Sequence, residues 1–219
     1  DDPEMGMVSP AEFIPLAEQT GCIGPIGEFV LRSVCAQLRD WRERGYGSLR
    51  TAVNLSPYQL RQDDFIDTLS RILGETDVSA GQLELEITES AIMGEDGTAV
   101  RTLDRLSAMG FTLVLDDFGT GYSSLSYLRR FSPDCLKIDR SFVQELPTNV
   151  ADCSLNTAIL SMAHGLGLRV VAEGVETEAQ AQYLRESGCD ELQGFLFGRA
   201  VPAEQFEEIL EREKAGDEQ

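Results

Sequence analysis

LVLDDFGTGY, residues 113–122, joins an apolar run, two adjacent aspartates and a turn that contains two glycines. The apolar run predicts a short buried strand that ends at Asp116 and Asp117. Two carboxylates placed together at the mouth of a buried strand are unfavourable unless a cation neutralises them. A hard divalent metal ion, which prefers oxygen ligands, is the simplest such cation. The stretch therefore predicts a strand that leads into a metal site.

Polar residues also end the other apolar runs of the chain. They are Asn54 after TAV, Glu86 within LELEITE, Lys137 and Asp139 in LKIDR, Glu173 after VVA, and Gln193 before GFLFG. Strands that alternate with helices indicate a parallel sheet with its crossovers on the outside. Functional side chains at the carboxyl ends of nearly all strands are typical of a (β/α) barrel, because those ends converge on one mouth. The sequence therefore predicts an α/β fold, a TIM-like (β/α) barrel with one shared site.

The predicted barrel is incomplete at its N-terminus. Six apolar runs qualify as strands, at residues 52–55, 83–88, 113–115, 136–138, 169–172 and 191–197, whereas a closed barrel of this type has eight. Helices are predicted between the strands, including one from Pro57 to Gly74, one in SSLSYLRRF and one after Pro202. No glycine-rich dinucleotide fingerprint follows any strand, which argues against a Rossmann fold.

Charge and hydropathy exclude several classes of partner. The 219 residues are enough for one domain with a sizeable core. A formal charge of −20, from 38 acidic and 18 basic side chains, argues against binding of polymeric nucleic acid. A small phosphorylated ligand is still compatible, since metal ions and a few cations can reverse the field inside a cleft. No apolar run approaches the roughly 20 residues that span a bilayer, so we expect no membrane contact by this segment.

The cysteine pattern indicates the redox environment. Five cysteines are scattered singly without a CxxC pair, which favours reduced thiols over a disulfide framework or a zinc site. This predicts a cytoplasmic location, or the cytoplasmic side of a membrane-tethered parent protein. The lone His164 is expected to pack or to cap a helix end. The sequence does not begin with Met, and we expect it to be part of a longer protein.

Five motifs, in order along the chain, carry a family resemblance. They are VNLSPYQL, LELEITES, DDFGTGYSSLSYLRRFSPDCLKIDRSFV, VVAEGVETEAQ and GCDELQGFLFG. Together they resemble the EAL-domain family, the phosphodiesterases of the bacterial second messenger cyclic di-GMP. The family's Glu-Ala-Leu motif, whose glutamate ligates metal, does not occur before these motifs. We therefore expect residues 1–219 to be a single EAL-type domain that lacks its first strand or strands, with weak or no turnover as a fragment.

The resemblance implies a two-metal site. Hydrolysis of a phosphodiester needs an activated water and neutralised charge on the phosphate, and two metal ions about 3.5–4 Å apart provide both. By resemblance, Asn54, Glu86 and Asp116 hold one metal ion. Asp116 bridges to a second ion that Asp117 and Glu173 also hold. This oxygen-rich set suits Mg²⁺ or Mn²⁺.

Charged groups beside the metals receive catalytic roles from the same resemblance. Lys137 would hold and polarise the attacking water, and Glu173 is the alternative general base. A purely structural ion pair is the competing interpretation of Lys137. Asp139 and Glu176 would orient Lys137 and the substrate.

The segment from Asp117 to Ser124 resembles the family's mobile loop beside the metals, which is also linked with dimerisation. We therefore expect a homodimer through this region. The hydroxyls of Thr120, Ser123 and Ser124 can satisfy a nearby acid. Glu89 resembles the family glutamate that anchors this loop, and capping of the following helix is the alternative interpretation.

The substrate, cyclic di-GMP, would lie on the rim formed after the last two strands. The residues implied in its binding are Lys137, Glu173, Gly174, Val175, Glu176, Gln193 and Phe195. Glycine permits close approach of the backbone, and an aromatic ring at Phe195 can pack on a purine. The family often has Tyr at this position, so one hydrogen bond is expected to be lost without loss of binding.

Three functions remain in competition at this point. The first is an enzyme that hydrolyses cyclic di-GMP to linear pGpG in the intact parent protein. The second is an EAL-like receptor that binds the ligand without cleaving it, although such degenerate members usually lose several metal ligands. The third is an unrelated metal-dependent barrel, such as an enolase-type enzyme, which shares only convergent acids. The five motifs favour the first.

Overall fold

The predicted parallel sheet is confirmed by the structure, a computed structural model that describes residues 6–92, 97–119, 131 and 133–217. Each strand pairs in parallel with the next one along the chain, in the order β1 to β6. The strands are β1 Thr51–Asn54, β2 Leu83–Thr88, β3 Thr112–Phe118, β4 Cys135–Ile138, β5 Arg169–Ala172 and β6 Glu191–Leu192. This consecutive order is the one that a barrel requires, because every crossover returns to the neighbouring position.

Nine helices accompany the strands in the described part of the chain. They are α1 Pro10–Thr20, α2 Ile23–Glu43, α3 Pro57–Leu60, α4 Phe65–Thr76, α5 Glu89–Ile92, α6 Thr98–Ala108, α7 Val150–Gly165, α8 Glu178–Glu186 and α9 Ala203–Asp217. Short 3₁₀ turns occupy Ala80–Gln82 and Arg140–Phe142. None of these helices has both the length and the apolar character needed to cross a membrane.

Two predicted segments were wrong in their extent. The single helix expected from Pro57 to Gly74 is two helices, and α4 continues through Gly74 to Thr76 because its apolar side packs into the core. The last strand stops at Leu192, since the following residues turn back. There Leu196 N–H donates to Val175 O at 3.0 Å. The helix predicted in SSLSYLRRF lies outside the described residues.

Side chains of the strands alternate between two environments, as the period of two requires. On β2, Leu83, Leu85 and Ile87 are fully buried in the main core beneath the helices. Glu84 and Glu86 lie on the opposite face. A small apolar layer of Val114, Cys135 and Val171 is buried separately from the main core. Burial raises the pKa of the Cys135 thiol to about 12, so this cysteine remains protonated.

An ion cluster lies at the amino ends of the strands, opposite the predicted site. Arg169 Nη2 lies 2.8 Å from Glu84 Oε1, and Arg50 Nη1 lies 3.0 Å from the same oxygen. Arg169 also pairs with Glu191. Burial disfavours the charge of Arg169, but the bonds to Glu191 and Glu84 outweigh it and raise the pKa of the guanidinium. The barrel interior therefore has paired charges at this end.

Asp190 ties β5 to the end of α7. Its Oδ2 accepts hydrogen bonds from the backbone N–H of Val170 at 2.7 Å and from His164 Nε2 at 3.0 Å. Burial acts to raise the pKa of Asp190, but the hydrogen bonds from His164 and Val170 prevail and lower it. His164 lies exposed in the last turn of its helix and bonds to the Asp190 side chain, which differs from the packing or helix capping that the sequence predicted.

The Asp190→Asn variant is expected to lose stability at neutral pH and to approach wild type in acid. A carboxyl whose folded pKa lies below its unfolded value stabilises the fold above the unfolded pKa, and this contribution disappears as pH falls through the folded pKa. Urea unfolding between about pH 6 and pH 2 measures the difference. His164→Ala should weaken the pH dependence, and a difference between Asp190→Asn and wild type that does not change with pH would contradict the assignment.

Candidate metal centre

A β-bulge brings the two aspartates of DDFG to the same place. The pairing between β3 and β4 shifts between Leu115 and Phe118, and Asp117 has a left-handed backbone with φ of 54°. Adjacent side chains of a regular strand face opposite sides, and a bulge removes this restriction. Asp116 Oδ1 accepts a hydrogen bond from the N–H of Asp117 at 3.0 Å, which fixes the turn. One carboxylate oxygen each from Asp116, Asp117 and Glu173 then lie within 4.8 Å of one another.

Lys137 lies among the carboxylates as their counter-charge. Its Nζ is 2.6 Å from Glu86 Oε1, 2.5 Å from Glu173 Oε1 and 3.6 Å from Asp116 Oδ1. The residue is 5% exposed. Burial disfavours the ammonium, but the hydrogen bonds to Glu173 and Glu86 outweigh burial and raise the pKa of Lys137. The strand ends therefore converge as the sequence predicted.

Asn54 joins the same network from β1. Its Nδ2 donates to Glu86 Oε2 at 3.0 Å, so the two oxygens of Glu86 connect Asn54 with Lys137. Glu86 and Asp116 are 8% and 9% exposed. All six residues predicted at the metals or as the catalytic lysine lie in one connected group, namely Asn54, Glu86, Asp116, Asp117, Lys137 and Glu173.

The charge balance of this group fits a divalent ion. Glu86, Asp116, Asp117 and Glu173 are four acids, and among the residues that the structure describes Lys137 is the cation that pairs with them. The pKa of Asp117 is raised, first by burial and then by the charges of Asp116 and Asp139. The pKa of Glu173 is raised by burial, partly offset by Lys137. Carboxylate and amide oxygens under mutual repulsion are suitable ligands for a hard cation such as Mg²⁺ or Mn²⁺.

Asp139 and Glu176 bond to residues outside this group. Asp139 Oδ1 accepts hydrogen bonds from Ser141 N–H at 3.0 Å and from Ser141 Oγ at 2.5 Å. Glu176 is exposed and its Oε1 lies 3.2 Å from Arg140 Nη2. Lys137 was expected to be oriented by these two acids, but the carboxylates that it contacts are those of Glu86, Asp116 and Glu173. Sequence reasoning missed Arg140.

The loop expected beside the metals is described only at its start. Gly119 has a φ of 96°, and a Cβ there would lie 2.8 Å from the ring of Phe142. Thr120, Ser123 and Ser124 lie outside the described residues. Glu89 is 9% exposed and begins α5. Its position agrees with both interpretations of its role, as a loop anchor and as a helix-start acid.

The predicted substrate rim is formed by two interlocked turns after β5 and β6. Val175 N–H donates to Gln193 O at 3.0 Å, and Gly194 lies so close that a Cβ there would be 2.1 Å from Val175 O. Phe195 is 52% exposed, and the guanidinium of Arg199 lies over its ring at 4.0 Å from the centroid. Arg199 is a second cation that the sequence did not single out.

The family model of the EAL domain matches residues 1–200. The chain belongs to the EAL domain family. The resemblance carried by the five motifs is thereby confirmed. This EAL domain is 45% identical over 206 residues to the Pseudomonas aeruginosa protein MucR, a bifunctional diguanylate cyclase/cyclic di-GMP phosphodiesterase. That match covers 94% of the chain and 30% of MucR.

A second relative and two solved structures agree with this placement. The EAL domain is 40% identical over 210 residues to the Escherichia coli cyclic di-GMP phosphodiesterase PdeR, covering 96% of the chain and 32% of PdeR. The chain thus spans about a third of the length of the curated relatives it matches. The PaMucR phosphodiesterase in its c-di-GMP complex superposes with a TM-score of 0.87 at 45% identity, covering 94% of this chain and 83% of that chain. Klebsiella pneumoniae BlrP1 in its manganese/cy-diGMP complex superposes with a TM-score of 0.70 at 31% identity, covering 79% and 44%.

Proposed function

We propose that this EAL domain is a metal-dependent phosphodiesterase that hydrolyses cyclic di-GMP to linear pGpG. The observation that carries the proposal is the convergence of Asp116, Asp117 and Glu173 within 4.8 Å, beside a buried Lys137. Relatives with this domain include a cyclic di-GMP phosphodiesterase and a protein solved with c-di-GMP. The strongly acidic chain needs such a local centre to accept an anionic dinucleotide.

The metal ligands that we propose are the oxygen-bearing side chains of the connected group around Lys137. One ion would be held by Asn54, Glu86 and Asp116, and a second by Asp116, Asp117 and Glu173. The oxygen-only donor set supports Mg²⁺ or Mn²⁺, and BlrP1 was solved with manganese. When bound, the ions supply an activated water and neutralise charge on the phosphate.

Side chains of the protein would orient the attacking water and accept its proton beside these ions. An ammonium bonded to two carboxylates, as Lys137 is to Glu86 and Glu173, carries its proton and acts as a donor. We therefore assign to Lys137 the orientation of the attacking water, and to Glu173 the role of general base. Glu89 would anchor the loop that follows Asp117.

The substrate would lie on the rim beside the metal ligands. Gly174 and Gly194 permit close approach of the backbone, while Val175 is buried and keeps the rim in place. Gln193 and Glu176 offer polar groups to a base or sugar. The exposed ring of Phe195 is positioned to pack on a guanine.

Residues 1–219 would act as a single domain, and two further expectations belong to this proposal. The homodimer through the Asp117–Ser124 region stays a prediction. All five cysteines are free thiols, and we place the domain in a reducing, cytoplasmic setting.

Hydrolysis should depend on a divalent ion and stop when the ion is removed. The intact natural protein, incubated with cyclic di-GMP and Mg²⁺ or Mn²⁺, is expected to release pGpG, which chromatography separates from the substrate. EDTA should abolish product formation, and an excess of Mn²⁺ should restore it. Without the ion, the negative charge of the carboxylates repels the phosphate of the substrate.

Binding of cyclic di-GMP without any product would instead support the receptor function. Hydrolysis that continues in EDTA would contradict the two-metal proposal.

A further inference from the structure

We propose that Arg140 is a positioning residue that holds the turn Gly174–Glu176 and, through it, the carboxylate of Glu173 against Lys137. This inference rests on the proposed function and adds a residue outside the predicted site. Two ion pairs join β4 and the turn that follows it to the segment after β5, at matching positions along the two segments. Lys137 pairs with Glu173 at 2.5 Å, and three residues further along both segments Arg140 pairs with Glu176 at 3.2 Å.

The aliphatic part of Arg140 packs directly on the turn. Gly174 has a φ of 70°, and a Cβ added there would lie 2.4 Å from Arg140 Cγ and 2.7 Å from Arg140 Cβ. Contact this close is possible only because Gly174 has no side chain and tolerates the left-handed backbone. The arginine stem therefore lies against the backbone that immediately follows Glu173.

The other side of the turn is fixed by β6. Val175 N–H donates to Gln193 O and Val175 O accepts from Leu196 N–H, each at 3.0 Å, and Gly194 is in close contact with the backbone of Val175. At its base, Glu173 N–H donates to Ile138 O at 3.1 Å. The turn thus has a rigid support on one side, and Arg140 supplies the support on the other.

The ion pair of Arg140 is half-exposed, with side-chain exposures of 54% and 44% for Arg140 and Glu176. Such pairs contribute little to stability. The role of Arg140 is therefore geometric, since Glu173 needs a fixed orientation both toward Lys137 and toward a metal ion. Groups that orient metal ligands typically change metal affinity or activity when they are removed.

The test compares Arg140→Met, which keeps an unbranched stem but loses the charge, with Arg140→Lys, which keeps both. In the intact protein, calorimetric titration with Mn²⁺ should give a dissociation constant raised about tenfold in Arg140→Met. The kcat for cyclic di-GMP should fall by about tenfold with little change in KM. Arg140→Lys should recover most of both losses. Arg185→Met, which breaks the exposed pair of Arg185 and Glu178 on α8, is the matched control and should change neither quantity.

Wild-type Mn²⁺ affinity and kcat in Arg140→Met would overturn the inference. A rise in KM alone would also overturn it, because it would mean direct contact of Arg140 with the substrate. If Arg140→Met does not fold, Glu176→Gln removes the pair from the other side and should weaken Mn²⁺ binding in the same direction. The two proposals can fail separately. If the wild type forms no pGpG but Arg140→Met still binds Mn²⁺ more weakly than wild type, the role of Arg140 is supported and the proposed function is refuted.

Discussion

Glu86→Ala is expected to abolish metal-dependent hydrolysis of cyclic di-GMP. Glu86 uses one oxygen to accept from Asn54 Nδ2 at 3.0 Å and the other to accept from Lys137 Nζ at 2.6 Å. Its removal takes away a proposed metal ligand, the partner of Asn54 and one of the carboxylates of Lys137 at the same time. We expect a loss of about a thousandfold in kcat/KM, which corresponds to about 4 kcal/mol of transition-state stabilisation. Chromatographic assay of pGpG measures it.

Glu84→Gln provides the matched control for this result. Glu84 lies two residues earlier on the same face of β2, where it pairs with Arg169 and Arg50 at the opposite end of the sheet. Its loss should lower the melting temperature, because Arg169 loses one of the two carboxylates that pair with it in the described part of the chain. It should leave kcat within about twofold. Near-normal turnover in Glu86→Ala, or equal losses of activity in both variants, would contradict the assignment of Glu86.

Asp117→Asn is expected to stabilise the metal-free protein while removing its activity. The pKa of Asp117 is raised by burial and by Asp116 and Asp139, so the ionised carboxylate destabilises the fold at neutral pH. Asparagine tolerates the same left-handed backbone as aspartate and carries no charge. In EDTA we expect the melting temperature to rise by about 2–4 °C, as a gain of about 1 kcal/mol would produce. Differential scanning calorimetry measures the change.

The pH dependence of this effect has a definite sign. A carboxyl whose folded pKa lies above its unfolded value favours the fold at low pH and loses that contribution as pH rises through the folded pKa. The advantage of Asp117→Asn over wild type should therefore shrink as the pH is lowered in EDTA. Added Mn²⁺ should stabilise wild type more than the variant, because binding energy stabilises the native state by mass action.

Asp104→Asn, at an exposed position of α6, is the control for removal of one negative charge. It should alter neither the metal-free stability beyond a small amount nor the response to Mn²⁺. If Asp117→Asn is less stable than wild type in EDTA, Asp117 is not under charge repulsion. If the variant keeps full turnover in the presence of metal, Asp117 is not part of the metal site.

The sheet was predictable because its strands contribute buried apolar side chains, which the sequence shows as short apolar runs between helical segments. In β2, the alternating apolar residues Leu83, Leu85 and Ile87 are enough to predict a strand. The extent of the last strand was not predictable from FLF, because Leu196 bonds back to Val175 and Phe197 bonds to Gly194 instead of continuing along β5. Gly74 did not end α4, since tertiary packing of the helix outweighs the weak preference against glycine.

The convergence of the polar strand ends was predictable for a physical reason. Parallel strands place their carboxyl ends at one edge, so Asn54, Glu86, Lys137 and Glu173 had to meet if the strands paired in order. The bulge was not predictable, because two adjacent aspartates would face opposite sides of a regular strand. Arg140 was missed since a half-exposed arginine in a turn has no pattern of its own, and its packing on Gly174 depends on a segment more than thirty residues away.

The irregular pairing of β3 has a consequence for attempts to make this domain more robust. Deleting either aspartate would let the strand run evenly beside β4 and would remove a left-handed non-glycine residue. After such a deletion, only one of the two carboxylates would remain at the metal site. Design methods that reward ideal backbone geometry will favour this repair and produce a sturdier but inert protein, so residues 116–117 should be held fixed in any such redesign.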